Sequence, residues 1–199
     1  FEVRLHDVWG SSANNVFAVA DSGIILHYDG KQWRLHHQLG TDTPLLSITG
    51  FGAHDVIVVG DEGRILRFDG VDWKRVDSGV NIELYAVWGL DSEHLLAAGG
   101  AGEIFRWNGD KWHNFNAGTD YSLYSVPGTG LDDIYFAGLS GTLIHFDGQS
   151  FQRHNLGLRC DLHAVYQVSK TQVLALGSLG TIMRFEDGIW HTEQHDFGT

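Results

Sequence analysis

The sequence predicts an all-β fold, a five-bladed β-propeller with four antiparallel strands per blade, on three observations. A text of about 39 residues recurs five times along the chain. Each copy holds four short apolar segments instead of one long amphipathic one. Glycine makes up 26 of the 199 residues, against a usual share of about 7%, and falls at fixed phases of the repeat, whereas proline occurs only as Pro44 and Pro127.

The repeat is read from Gly23, Gly63, Gly102, Gly141 and Gly180, spaced 40, 39, 39 and 39 residues apart. Around them stand GIILHYDGKQW (23–33), GRILRFDGVDW (63–73), GEIFRWNGDKW (102–112), GTLIHFDGQSF (141–151) and GTIMRFEDGIW (180–190). The first segment of each copy opens at Leu5, Leu45, Leu84, Leu123 or Leu162. The second begins at Val16, Val56, Leu95, Ile134 or Val173. The third is IILHY and its equivalents, and the fourth opens at Trp33, Trp73, Trp112, Phe151 or Trp190. Segments of about five residues, rich in Val, Ile, Leu and aromatics, form strands and not helices.

The joints follow the same logic. Asp-Gly or Asn-Gly at 29–30, 69–70, 108–109, 147–148 and 187–188 supplies the positive φ of a tight hairpin between the third and fourth segments. A glycine turn such as Asp61-Glu62-Gly63 joins the second to the third. In the third strand Ile65 faces one side while Leu66 and Phe68 face the other. A sheet apolar on both faces must be sandwiched between neighbours, as blades in a ring are. The glycine spacing and β-branched content exclude a helical repeat. One domain is expected over 1–199, with blades at about 1–39, 40–79, 80–118, 119–157 and 158–199. Closure of blade 5 onto blade 1 would make a monomeric ring. An arc of a larger array would instead expose one apolar face at each end.

Formal net charge is −12, a poor match for a nucleic-acid backbone or an anionic membrane. No run of about 18 apolar residues could span a membrane. The sequence opens at Phe1 without a charged stretch leading into an apolar core, so no secretory signal is expected within these residues. A single cysteine, Cys160, excludes an internal disulfide and a Cys-rich zinc site.

The pattern V-W-G…V-F-A-V…G-x-I-x-H-Y-D-G-x-x-W resembles the tandem propeller repeats of bacterial secreted and surface proteins, over the whole chain. The Asp-Gly-x-x-Trp hairpin is similar to the Asp-box of sialidase-like and photosystem-assembly-factor propellers. It departs from that box in its shorter Asp29-to-Trp33 spacing, and the fifth copy is shifted to Glu186-Asp187-Gly188. The resemblance implies structural repeats with no catalytic residues to carry over, and a secreted or cell-surface protein. Five-bladed propellers include lectins and glycosidases, so the fold leaves function open.

Alternating strand direction puts the second–third and fourth–first loops at one end of the ring. That end varies between copies. Arg4, Pro44, Glu83, Ser122 and Asp161 precede the first strands, and Asp42, Asn81, Asp120 and Tyr121 lie in the loops before them. The candidate ligand site at this channel mouth is Arg4, His6, Asp42, Glu83, Tyr85, Tyr121, Tyr124, Asp161 and His163, weighed against plain solvated loops. The aromatics opening the fourth strands, and Trp9 and Trp88 on first strands, read as packing and not as sugar platforms. His27, Arg67, Arg106, His145 and Arg184 share one place in the third strand. They are expected to find carboxylates or aromatic faces on the neighbouring blade. His6 and His163, with Asp7, Cys160 or Asp161, match no metal-ligand spacing, so neither a metal nor another cofactor is expected.

Near-equal repeats argue against a single catalytic centre. The first strands offer only Asp7 as an acid, and Glu83 with Asp161 is the best carboxylate pair for glycoside chemistry. The leading expectation is a non-enzymatic binding module for a glycan or protein ligand, in its sharper form a multivalent lectin. The alternatives are a glycoside-active enzyme using Glu83 and Asp161, and a structural repeat segment of a larger surface protein.

Overall fold

The computed structural model describes residues 3–40 and 42–193. Phe1, Thr41, Gly198 and Thr199 lie outside them, as do the outermost parts of the first and last expected blades. Blade 1 consists of β1 (Leu5–Ser12), β2 (Asn15–Ala20), β3 (Ile24–Tyr28) and β4 (Trp33–Gln38). Blade 2 holds β5 (Leu45–Gly52), β6 (Asp55–Gly60), β7 (Arg64–Phe68) and β8 (Trp73–Val76). Blade 3 holds β9 (Leu84–Asp91), β10 (His94–Gly99), β11 (Ile104–Trp107) and β12 (Trp112–Asn114). In blade 4 the first strand is broken into β13 (Leu123–Ser125) and β14 (Gly128–Gly130), followed by β15 (Asp133–Gly138), β16 (Leu143–Phe146) and β17 (Phe151–Arg153). Blade 5 holds β18 (Leu162–Ser169), β19 (Gln172–Gly177), β20 (Ile182–Glu186) and β21 (Ile189–Thr192). The break in blade 4 falls at Pro127, which has no N–H to give the ladder.

Every blade is an antiparallel sheet whose strands follow chain order. Consecutive first strands pack on one another, β1 on β5 and β5 on β9, so the first strands converge on the axis and the fourth strands splay outward. The turns on either side of the third strand come in two kinds. Between the second and third strands, a non-glycine and a glycine both take positive φ, as at Ser22 (55°) and Gly23 (63°). That is the geometry of the two-residue turn whose twist matches the flanking strands. Between the third and fourth strands, Asp29 Oδ1 accepts the N–H groups of Lys31 and Gln32 at 2.9 and 3.0 Å, and Gly30 alone turns left-handed. A Cβ at Gly30 would also lie 2.6 Å from Asn14 Cβ, in the first hairpin of the same blade. Blade 5 uses the two-residue turn here as well, with Asp187 and Gly188 both at positive φ and Glu186 paired to Ile189. That explains the shift in its text.

The core lies between blades. Val19 and Phe17 of blade 1 meet Ile48, Val58, Leu66 and Phe68 of blade 2. Ile57, Val59 and Ile65 on the other face of blade 2 meet Leu84, Val87, Phe105 and Trp112 of blade 3. Equivalent clusters join blade 3 to blade 4 and blade 4 to blade 5. The two-sided reading of Ile65 against Leu66 and Phe68 therefore holds. Burying each such side chain contributes roughly 1.5–3 kcal/mol.

Polar stitches cross the same interfaces near the axis. Asp7 Oδ2 accepts Ile48 N at 2.9 Å and Ser47 Oγ at 3.0 Å. Ser47 Oγ in turn accepts Val87 N, and Ser125 Oγ accepts Val165 N at 3.0 Å. Asp7 is thus committed to holding blade 2 in place.

The expected partners of the third-strand His and Arg residues need correction. They lie in the same blade, not the next one. His27 Nε2 bonds Asn15 Oδ1 at 2.7 Å, Arg67 grips Asp55 through two bonds of 2.9 and 3.1 Å, and His145 Nε2 meets Asp133 Oδ1 at 2.8 Å. Arg184 pairs with Glu186 and, at 2.5 Å, with Glu193, while Arg106 lies 5.9 Å over the Phe115 ring. The second-strand residue directly opposite is apolar, such as Phe17 against His27, so the polar head reaches the diagonal neighbour two residues away.

The aromatics opening the fourth strands pack on the hairpins they follow. Trp33 lies on Tyr28, Trp73 on Phe68, Trp112 on Trp107, Phe151 on Phe146 and Trp190 on Phe185, with ring centroids 4.9–5.6 Å apart.

Candidate functional site

At the varied end of the channel, the second residue of each first strand stands beside the turn that starts the third strand. His6 Nε2 lies 2.6 Å from Asp21 Oδ1, and this bond holds the Asp21 carboxyl below its ordinary range. His163 Nε2 makes the corresponding bond to Ser178 Oγ at 2.8 Å. Between these, Tyr85 and Tyr124 meet edge to face at 5.2 Å, and Tyr124 stacks on His163 at 6.1 Å. Burial raises both tyrosine hydroxyls. The charge of Glu83 adds to this at Tyr85, and that of Asp161 at Tyr124. Blades 3, 4 and 5 therefore contribute a continuous aromatic wall.

Blades 1–3 contribute acid. An open cleft of about 690 Å³ is lined by Asp42, Thr43, Pro44, Asp61, Glu62, Asn81 and Glu83. Partial burial pushes the Asp61 carboxyl up, reinforced by the nearby charges of Glu83 and then Glu62. Glu62 is held by Arg64 Nη2 at 3.0 Å, whereas Asp61 and Glu83 have no ion-pair partner among the described residues. His6 offsets only part of this crowding, and like charges held this close favour a cation arriving between them.

The remaining candidates have other roles. Arg4 is exposed and its carbonyl accepts Asp21 N at 3.1 Å. Asp161 Oδ1 accepts Ser140 N at 2.9 Å, so it caps a turn of blade 4. Tyr121, just before β13, sits 5.8 Å under the guanidinium of Arg153 on the fourth strand of the same blade. His6 and His163 each have a partner of their own, and Cys160 Sγ lies 3.1 Å from Thr181 Oγ1. Among the described residues no three His, Cys, Asp or Glu side chains are grouped to hold a metal.

Asp21, Asp61 and Glu62 did not stand out in the sequence. Their signal is the turn text DSG, DEG, GAG, LSG and SLG, in which only the glycine is constant. The acid is confined to blades 1 and 2.

Fold and site together define a propeller of four-stranded antiparallel blades, with an acidic and aromatic channel mouth. No protein-family model matches the chain, and no curated protein matches it in sequence. Among solved structures, the WD40 β-propeller domain of Doa1 superposes with a TM-score of 0.81 at 13% identity, covering 98% of this chain and 70% of that one. YCF48 bound to D1 peptide gives 0.73 at 16% identity, over 96% of this chain and 67% of that one. YCF48 from Cyanidioschyzon merolae gives 0.74 at 15%, over 99% and 74%. At these identities the likeness is one of fold.

Proposed function

We propose that this protein is a non-enzymatic protein-interaction module that binds a peptide segment bearing Lys or Arg at the channel mouth. The observation that carries the reading is the Asp61–Glu83 pair, which has no ion-pair partner among the described residues and lies next to the Tyr85–Tyr124–His163 wall. A basic side chain entering there gains two carboxylates and a set of ring faces at once. The rigid blades hold both groups in place before binding, which lowers the ordering cost of recognition. YCF48, a neighbour in fold, has been solved with a peptide bound, which supports the peptide class of ligand.

A glycan ligand finds less support, because the repeated aromatics that would stack on sugar rings pack on their own hairpins. Titration calorimetry with an Arg- and Lys-rich nonapeptide, its Glu-rich counterpart and a glycan array decides between these readings. We expect binding of the basic peptide only, weakened about tenfold or more in Asp61→Asn/Glu83→Gln and weakened by added salt. Equal binding of the acidic peptide, or an unchanged affinity in the double variant, rejects the proposal.

A further inference from the structure

We propose that the outer faces of blades 1 and 5 are seats for two further four-stranded blades of the same kind, which complete a ring of about seven. The argument is positional. The leucine opening each first strand is fully buried in four blades, at Leu45, Leu84, Leu123 and Leu162, because the preceding blade covers it. In blade 1 the same residue, Leu5, is 55% exposed. Three residues on, Ile48, Val87, Val126 and Val165 are 5–7% exposed, but Val8 is 61%. Trp33 is also open, whereas Trp73 packs on Phe17 and His36 of the blade before it.

Blade 5 mirrors this on its opposite face. Val19, Val59, Ala98 and Ala137 are fully buried against the following blade, and Leu176 in the same place is 43% exposed. Tyr166 is 66% exposed. Its counterparts Trp9 and Trp88 lie flat on Gly50 and Gly128 of the next blade, so close that a Cβ there would sit 2.7 Å from the ring. Tyr166 is a knob of the same pattern, and the blade that receives it should offer a glycine. The described residues form apolar cores between blades 1 and 2, 2 and 3, 3 and 4, and 4 and 5.

What fits these faces is set by the interface already built four times. Each is a half-interface, with the leucine, valine and aromatic positions in register for another blade. The number of blades comes from the superpositions. This chain overlays almost entirely on 67–74% of each solved neighbour. Five blades on about 70% of a neighbour's chain leave length there for roughly two more, and seven lies within the known range of four to eight. A second copy of this chain fits less well, since ten blades at that pitch would overrun one turn.

The test uses the polypeptide isolated from its natural source, detected with antibody against residues 40–118. Its intact mass and sedimentation are measured, together with hydrogen exchange over 5–8 and 174–176. We expect a monomer carrying at least two further repeats, roughly 9 kDa above the 22.1 kDa of these residues, with both segments protected as strongly as 84–87. Three results would each overturn the proposal. One is a 22.1 kDa monomer with both faces protected, meaning that five blades close on themselves. Another is a 22.1 kDa dimer with protected faces, meaning that a second copy is the occupant. The third is exposure of both faces at any length.

Discussion

Replacing Asp133 with alanine should be the most damaging polar substitution in the protein. Its side chain is almost wholly buried at the start of β15. It accepts bonds from His145 Nε2 at 2.8 Å, from Gln167 Nε2 of blade 5 at 2.5 Å, and from Thr129 Oγ1. Hydrogen bonds to charged groups contribute about 1.5–3 kcal/mol each, and they do not add independently. Emptying one side of a buried charged cluster costs about 3–5 kcal/mol, because the partners left behind cannot reach water. Asp133→Ala should therefore lose about 3–5 kcal/mol, a third or more of the stability of a typical domain. Asn15 is the same position in blade 1, but it is neutral and engages His27 and Ser11 within its own blade. Asn15→Ala should cost about 1 kcal/mol. Urea unfolding followed by tryptophan fluorescence separates the two, with a midpoint drop of about 1–2 M expected for Asp133→Ala. If the two variants lie within about 1 kcal/mol of each other, the reasoning from burial and cross-blade bonding is refuted.

Other substitutions test neighbouring claims. In the 199-residue chain, Leu162→Ala should cost about 2–5 kcal/mol and Leu5→Ala less than half of that, since the same side chain is 0% exposed in one blade and 55% in the other; paired denaturation curves that superimpose would contradict it. Asp7→Ala leaves Ile48 N without its acceptor and should cost about 1–3 kcal/mol. Urea unfolding of the parent and Asp7→Ala checks this, and superimposed curves would contradict it. Burial, and then the neighbouring His145, lowers the pKa of His154, whose buried Nε2 has no partner. The unfolded chain then binds the extra proton first, so this residue's contribution to stability is present above the ordinary histidine pKa of about 6.5 and is lost as pH falls below it. Melting temperature from pH 7.5 to 5 should decline less in His154→Phe than in the parent. Parallel declines would remove His154 from the account.

The blade was legible in the sequence because its information is local and is stated five times. A strand of five residues, a turn glycine and an aromatic pair across a hairpin each need only near neighbours, and periodicity averages out the exceptions. Pro127 marked the broken first strand of blade 4 but was not read as a break. The partners of Arg67 and His145 were misplaced for a geometric reason. Facing neighbours across the sheet are apolar, and the polar partners, Asp55 and Asp133, sit on the diagonal, which a strand pattern does not display. The channel mouth was half legible. Tyr85, Tyr124 and His163 share a repeat position, which predicts that they come together. Asp61 and Glu62 belong to a turn placed at the varied end, but attention went to the loops before the first strands, because in this turn only the glycine repeats. Tyr121 lies against Arg153, and Asp161 caps Ser140 while its charge still reaches Tyr124, links that no periodicity displays.

Those tips have a consequence of their own. Ser22, Glu62, Ala101, Ser140 and Leu179 all adopt left-handed backbone conformations, with φ of 53–59°. That region penalises β-branched side chains most, and none of the five is Val, Ile or Thr. The turn thus acts as a conformational filter with a free choice behind it. Any unbranched residue can occupy a tip at little further cost, and each tip is carried by a frame that does not depend on its identity. The protein offers an array of independently replaceable side chains, and the surface they form can be rewritten one tip at a time without redesigning a strand.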